Sequence, residues 1–273
     1  VAVTQSDALT LGGRDVVAEG QNLMQHQDGI AKAIGLDPVG GTVRAGVEIQ
    51  TPGDFTLARD VNLLDSLHFG DQATNLTVRA GGNLNLNGSL SDGFASANRA
   101  DAAATTPVAL VAGPAASFRL VAGADASAAN VLATRSYVDA GTLTIAAGKV
   151  VRTTTGSIEM AASQDVVLLA GSGSAPVQAA VYVAGGPSAD PARASTAERG
   201  AWQQFTAHGG RLDVRAGRDM VQPLASQLFN NWFFQAGAKA ANVSWASSFD
   251  SFKQGWGSFG GGNISLSAGN DIV

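Results

Sequence analysis

The sequence predicts an all-β chain folded as a right-handed parallel β-helix, or β-solenoid, with looped and helical insertions. Two observations carry this expectation: a short unit of alternating apolar residues recurs along the 273 residues, and the composition suits many short strands joined by tight turns. Glycine occurs 34 times, and charged residues make up only 14% of the chain, far below the share usual in globular domains. Lysine and glutamate, which solvate the outer faces of amphipathic helices, are sparse, whereas small and turn-forming residues recur throughout.

The unit reads apolar, polar, apolar, any residue, a small pair that is usually Ala-Gly, any residue, Asp or Asn, apolar. It appears as LTVRAGGNL from Leu76 to Leu84, LTIAAGKVV from Leu143 to Val151, IEMAASQDV from Ile158 to Val166, LDVRAGRDM from Leu212 to Met220 and ISLSAGNDI from Ile264 to Ile272. Weaker copies run from Leu9 to Val16, Thr42 to Ile49, Phe55 to Val61, Phe118 to Ala126 and Val181 to Gly186. Alternation at the first and third positions makes a half-buried strand. The small pair permits a tight bend, the Asp or Asn bonds the turn backbone, and the next apolar residue opens a new strand. One such rung cannot bury its apolar face alone; rungs stacked about 4.8 Å apart can, with like residues above like. An antiparallel sandwich or barrel would instead call for Gly after Asn or Asp between strands. Asn87-Gly88, Asp28-Gly29 and Asp92-Gly93 have that order, but the recurring unit places Gly before Asp. The calcium-binding nonapeptide is missing despite GGGN at Gly260 to Asn263.

Three stretches break the pattern within a chain read as one solenoid segment, residues 1–273, of a larger protein. Residues 19–38 carry Leu23, Met24, Ile30, Ala33 and Ile34, a short helix or looped excursion. Residues 185–210 hold Ser195 and Glu198 at capping-box spacing, which predicts a short helix from about Thr196 to Phe205 packed on the solenoid wall. Residues 222–262 gather Phe229, Trp232, Phe233, Phe234, Trp245, Phe249, Phe252, Trp256 and Phe259, more than half of the chain's aromatics. Aromatics this dense either pack together over one face of the solenoid or form an exposed patch that contacts another chain, a glycan or a lipid surface.

Little in the sequence points to chemistry. A net charge of −5, with arginines such as Arg79, Arg119, Arg152 and Arg215 scattered singly, argues against a nucleic-acid partner. There is no cysteine, hence no disulfide, thiolate site or cysteine nucleophile. Asp15, Asp60, Asp165, Asp219 and Asp271 all occupy the corner position of the unit, which assigns them a turn role rather than the paired carboxylates of a glycosidase. His26, His68 and His208 show no metal-ligand spacing, and GSGS at Gly171 to Ser174 reads as a turn rather than a phosphate loop. No enzymatic activity, cofactor or metal is expected, and no run of about 18 apolar residues is present to cross a membrane.

The unit quoted at Leu76, Leu143, Leu212 and Ile264 resembles the repeats of the filamentous haemagglutinin family of large bacterial exoproteins. The likeness runs along nearly the whole chain, although the repeat is degenerate and the three insertions depart from a simple shaft. It implies a secreted surface fibre exported by two-partner secretion through an outer-membrane barrel transporter. Such a fibre serves adhesion, aggregation or biofilm formation, with a host or bacterial surface glycan or protein as partner and self-association through open solenoid ends. The NPNG- and NPNL-like motifs of the family's secretion domain do not occur, so the transporter would recognise a region outside this segment. The expected function is therefore a structural shaft, with a binding module built on the aromatic insertion as the alternative.

Overall fold

The computed structural model describes residues 2–3, 10–11, 14–36, 43–65, 67–69, 72–97, 109–136, 139–172, 177–187, 203–204, 206–224, 227–236 and 244–273. The chain is mostly strands, and three parallel sheets dominate it. Sheet 1 stacks Gly46–Thr51, Asn75–Ala80, Phe118–Ala122, Ile158–Ala162, Leu212–Ala216 and Ile264–Ala268. Sheet 2 stacks Ala2–Val3, Phe55–Leu57, Leu84–Leu86, Leu143–Ile145, Val166–Leu168 and Met220–Val221. Sheet 3 stacks Val61–Asn62, Leu90–Ser91, Val150–Thr153, Ala180–Val183 and Gly255–Ser258. From Gly46 onward the chain visits sheets 1, 2 and 3 in that order five times, and every strand pairs in parallel with its counterparts from the neighbouring passes.

The register places like on like. Val47, Leu76, Phe118, Ile158, Leu212 and Ile264 form one column of sheet 1, and Ile49, Val78, Leu120, Met160, Val214 and Leu266 form the next. All of these but Ile264, which is exposed on the last strand, share one apolar core with Phe55, Leu84, Leu143 and Val166 of sheet 2 and with Val61, Leu90, Val151 and Val181 of sheet 3. Alternation with polar residues, as in LDVRA at Leu212–Ala216, turns one side inward and leaves the other to solvent, giving the burial sequence buried, half-buried, buried, exposed, buried.

Corners are built from side chains that bond the next pass. Asp54 Oδ1 accepts the Asn83 N–H at 2.7 Å, Asn83 Oδ1 accepts the Gly141 and Thr142 N–H groups, Asp165 Oδ1 accepts the Asp219 N–H, and Asp219 Oδ1 accepts the Asp271 N–H. The acids of the unit thus tie successive passes together, where bonds within their own turn were expected. Arg218 bridges Asp165 and Asp219 and offsets the repulsion of stacked carboxylates. Asp60 belongs to a different corner, between sheets 2 and 3, where it accepts the Ser89 N–H and pairs with Lys149.

At the corner that returns to sheet 1, Gly156, Gly210 and Gly262 stack so closely that a Cβ on Gly156 would overlap the Ala116 carbonyl oxygen and one on Gly210 the Gly156 carbonyl oxygen. Backbone cannot swing aside as a long side chain can. Gly156→Ala is therefore expected to lower stability by about 1–3 kcal/mol, whereas Gly53→Ala, with open space around the added methyl, should stay within about 0.5 kcal/mol. Urea denaturation of the two variants checks this.

Several expectations are corrected. The copy at Leu143 begins on sheet 2, whereas those at Leu76, Ile158 and Leu212 begin on sheet 1, so three strands make a pass rather than two. The copy at Leu9 is not part of the stack: Thr10–Leu11 and Arg14–Asp15 pair antiparallel, and Val16 opens a helix. That helix, Val16–Gln25, and a second, Gln27–Ala33, occupy most of the first insertion, with Gly20 against the ring of Phe69. Of the helix expected over Thr196 to Phe205, residues 196–202 and 205 lie outside the described residues, and Gln203–Gln204 is a strand paired antiparallel with Ala246 and Ser247. Gly255–Ser258 is a strand of sheet 3, so the third insertion ends before it. Long connections also separate Leu90–Ser91 from Phe118–Ala122 and Phe118–Ala122 from Leu143–Ile145, the second a gap in copy spacing that a surface insertion was expected to fill.

Candidate functional site

The outer column of sheet 3, Asn62, Ser91, Arg152 and Tyr182, is buried along its length. Its strand Ala180–Val183, sequence AVYV, is buried on both sides. Val181 and Val183 face the shared core, and Ala180 and Tyr182 enter a second cluster with Phe94, Val150, Ala184, Phe249 and Phe252. A strand apolar on both faces needs a cover, and the third insertion supplies it.

The rings interlock edge to face. Phe252 lies 5.3 Å from Tyr182, Phe249 stacks on Tyr182 at 5.9 Å, Phe259 touches both Phe249 and Phe252 at 5.4 Å, and Trp232 closes over Phe259 at 5.1 Å. Each such pair contributes about 0.5–1.5 kcal/mol beyond the area it buries. Phe249 and Phe252 are buried, and Trp232 and Phe259 half-buried. Trp256 parts from the group: it pairs with Val181 and packs against the inner core. Phe229, by contrast, is 58% exposed, with Phe233 at 4.7 Å and Trp232 at 5.3 Å. Leu228, at 64% exposure, directly precedes it in the chain, and Leu224, earlier in the same segment, is 95% exposed. Phe234 and Trp245 lie on the antiparallel strands Phe233–Ala236 and Ser244–Ser247.

At the centre of this layer lies a fully buried cation. Arg152 projects outward from sheet 3 between Ser91 and Tyr182, its register partners. Its Nε donates to Ser91 Oγ at 3.0 Å, Nη1 to the Tyr182 hydroxyl at 3.0 Å and Nη2 to the Ser96 carbonyl at 2.9 Å. The guanidinium carbon sits 4.0 Å above the Phe94 ring, and Asp250 Oδ1 is 3.8 Å from Nη1. The Tyr182 hydroxyl donates onward to the Phe249 carbonyl, and Asn62 Nδ2 holds the Phe94 carbonyl at 2.9 Å. Arg152 thereby joins the stack, the 94–97 loop and the aromatic insertion. Sequence reasoning set it among singly scattered arginines; the signal that it lies under a cover was the uninterrupted apolar run beside it in AVYV.

Other charges are likewise engaged in holding passes together. Glu159, 5% exposed, accepts from Arg119 Nε at 2.9 Å and from Arg211. The Arg218 guanidinium beside Asp165, with the Asp219 N–H adding to it, holds the Asp165 carboxyl below its ordinary range. A carboxyl lowered in the folded state adds stability that is complete above the unfolded value, about 3.9, and fades as pH falls from there through the folded value. Wild type should accordingly lose thermal stability on acidification below about pH 4, and Arg218→Gln should lose less over that interval; melting curves between neutral and acid pH check the difference. Among the described residues no group of three or more His, Asp or Glu side chains is placed to hold a metal, and no helix is long and apolar enough to cross a membrane. No protein-family model, curated protein or solved structure matches the chain.

Proposed function

We propose that the three parallel sheets wind as a right-handed parallel β-helix, and that this segment is a structural shaft of a secreted, filamentous haemagglutinin-like surface fibre without enzymatic activity of its own. The observation that supports it best is the fivefold passage through the same three sheets with like residues in register. Such stacking builds length from identical interfaces, which suits a load-carrying rod more than a pocketed catalyst. Buried Arg152 and Glu159 act as clamps in this reading, and the repeat resemblance supplies the link to export through an outer-membrane barrel and to adhesion, aggregation or biofilm formation. Antibodies raised against this chain should label intact producing cells; labelling only after permeabilisation overturns the surface assignment.

A second reading, favoured by the exposure of Leu224, Leu228 and Phe229, makes the outer edge of the aromatic layer a contact for another protein chain or a glycan. A Leu224→Ser/Phe229→Ser double variant keeps the buried rings, so it should fold normally and reduce cell attachment several-fold. Unchanged attachment leaves the spacer role alone.

A further inference from the structure

Sheet 2 changes character along the stack. Its outward column reads Thr56, Asn85 and Thr144 in the first three passes and Val167 and Val221 in the next two. Val221 is 37% exposed, and Leu169, at the corner that follows Val167, is 41% exposed. The chain then runs out in a short excursion closed by the antiparallel pairing of Ala170 with Gln178, and Val177, on its return arm, is 51% exposed. Gln178 Nε2 donates to the Leu224 carbonyl at 3.2 Å, which ties this excursion to the segment that carries Leu224, Leu228 and Phe229. Valine column, excursion and segment form one apolar strip along the corner between sheets 2 and 3.

Charge and size say what kind of surface this is. Charged residues make up 14% of the chain, yet residues 166–189 and 220–238, which supply every position of the strip, contain no Asp, Glu, Lys, Arg or His. Ion pairs stand around it: Lys149 with Asp60 on the earlier passes, and Arg218 with Asp165 at the corner between sheets 1 and 2. An apolar centre inside a polar rim is the anatomy of a protein interface. At the exposures of Leu169, Val177, Val221, Leu224, Leu228 and Phe229, the strip leaves about 700 Å² open, above the largest apolar patch of a typical monomer, about 300–600 Å².

We propose that this strip pairs with the same strip of a second copy of the chain about a two-fold axis. The pairing rests on the reading of Leu224, Leu228 and Phe229 as a contact edge and extends it to sheet 2. A valine column at the spacing of the strands, about 4.8 Å, presents ridges and grooves that its own twin can enter. A two-fold pairing also closes at two copies, with the same patch used on both. Two joined strips bury about 1,400 Å², inside the roughly 1,200–2,000 Å² of stable protein interfaces. A charged ligand finds no counter-charge in the two runs, and a glycan finds aliphatic side chains at five of the six exposed positions in place of hydrogen-bonding groups.

Sedimentation equilibrium of the full chain between about 1 and 100 μM should give twice the 27.5 kDa of one copy. Val177→Lys/Val221→Lys, both at exposed positions, should raise the dimer dissociation constant about a hundredfold, because charges of one sign then face each other across the axis. Leu169→Lys/Leu224→Lys should do the same and serves if the first pair does not fold. Thr56→Lys, on the polar part of the same column, should leave the dimer intact. A monomeric wild type, a dimer that the folded lysine variants leave unchanged, open-ended oligomers in place of a dimer, or a monomer that floats with phosphatidylcholine vesicles overturns the proposal. A monomeric wild type whose cell attachment still falls with Leu224→Ser/Phe229→Ser overturns the pairing alone, whereas a dimer whose attachment that variant leaves unchanged keeps the pairing and removes the attachment role.

Discussion

Replacing Arg152 by alanine should destabilise the aromatic layer by about 3–5 kcal/mol, the range for removing one member of a buried charged network. The change takes a donor from the Ser91 hydroxyl, which keeps its own bond to the Ala97 carbonyl, from the Ser96 carbonyl and from the Tyr182 hydroxyl in a dry interior, and it removes the cation from the Phe94 face. Arg152→Lys should recover little, because three acceptors in three directions need the planar fork that an ammonium lacks. The loss should be local: Trp232 and its ring neighbours gain solvent and their fluorescence shifts to the red, while the far-ultraviolet signal of the parallel sheets persists. Guanidinium titration followed by both probes checks this, with two separated transitions expected in the variant. Coincident, wild-type-like transitions would show that the cover is held by ring packing alone.

Leu120→Asp should do more. Leu120 is fully buried on sheet 1, between Val78 and Met160 of the adjacent passes. Loss of the leucine alone is worth about 2–5 kcal/mol, and the carboxyl adds the penalty of a buried polar group with no partner, about 1–3 kcal/mol more. Since each pass rests on its neighbours, the damage should spread through the passes above and below and abolish cooperative unfolding. Thr144→Asp, on the outer column of sheet 2, should change stability by no more than about 0.5 kcal/mol. Limited proteolysis reads the contrast: new cuts between Asn75 and Ala162 in the first variant, none in the second.

The strands of sheet 1 were legible because Leu-Asp-Val-Arg-Ala at Leu212 and its relatives alternate cleanly and end in the same small pair. The division into three sheets was not. LTIAAGKVV at Leu143 and LTVRAGGNL at Leu76 are nearly the same string, yet they turn different corners, since any corner requires a small pair and a capping polar side chain. Asp60 was grouped with Asp165 for the same reason. The capping-box spacing of Ser195 and Glu198 predicted a helix that reaches Gln204, where pairing with Ala246 imposes a strand instead. In the aromatic insertion, composition identified the residues but not their sides: burial of Phe249 and Phe252 depends on Tyr182 and Phe94, which lie far away in sequence.

The most direct test of the account is the register of the passes, read by cysteine crosslinking in a chain that has no cysteine of its own. Asn85 pairs with Thr144, and Thr144 with Val167, on the outer face of sheet 2. Neighbouring strands lie about 4.8 Å apart, within reach of a disulfide, and alternate strands about twice that, beyond the roughly 7 Å limit. Under mild oxidation the Asn85→Cys/Thr144→Cys and Thr144→Cys/Val167→Cys proteins should each form an internal disulfide, and the Asn85→Cys/Val167→Cys protein should not. A bond joining positions 85 and 167, with none joining either to 144, would contradict the stacked parallel passes on which every other conclusion rests.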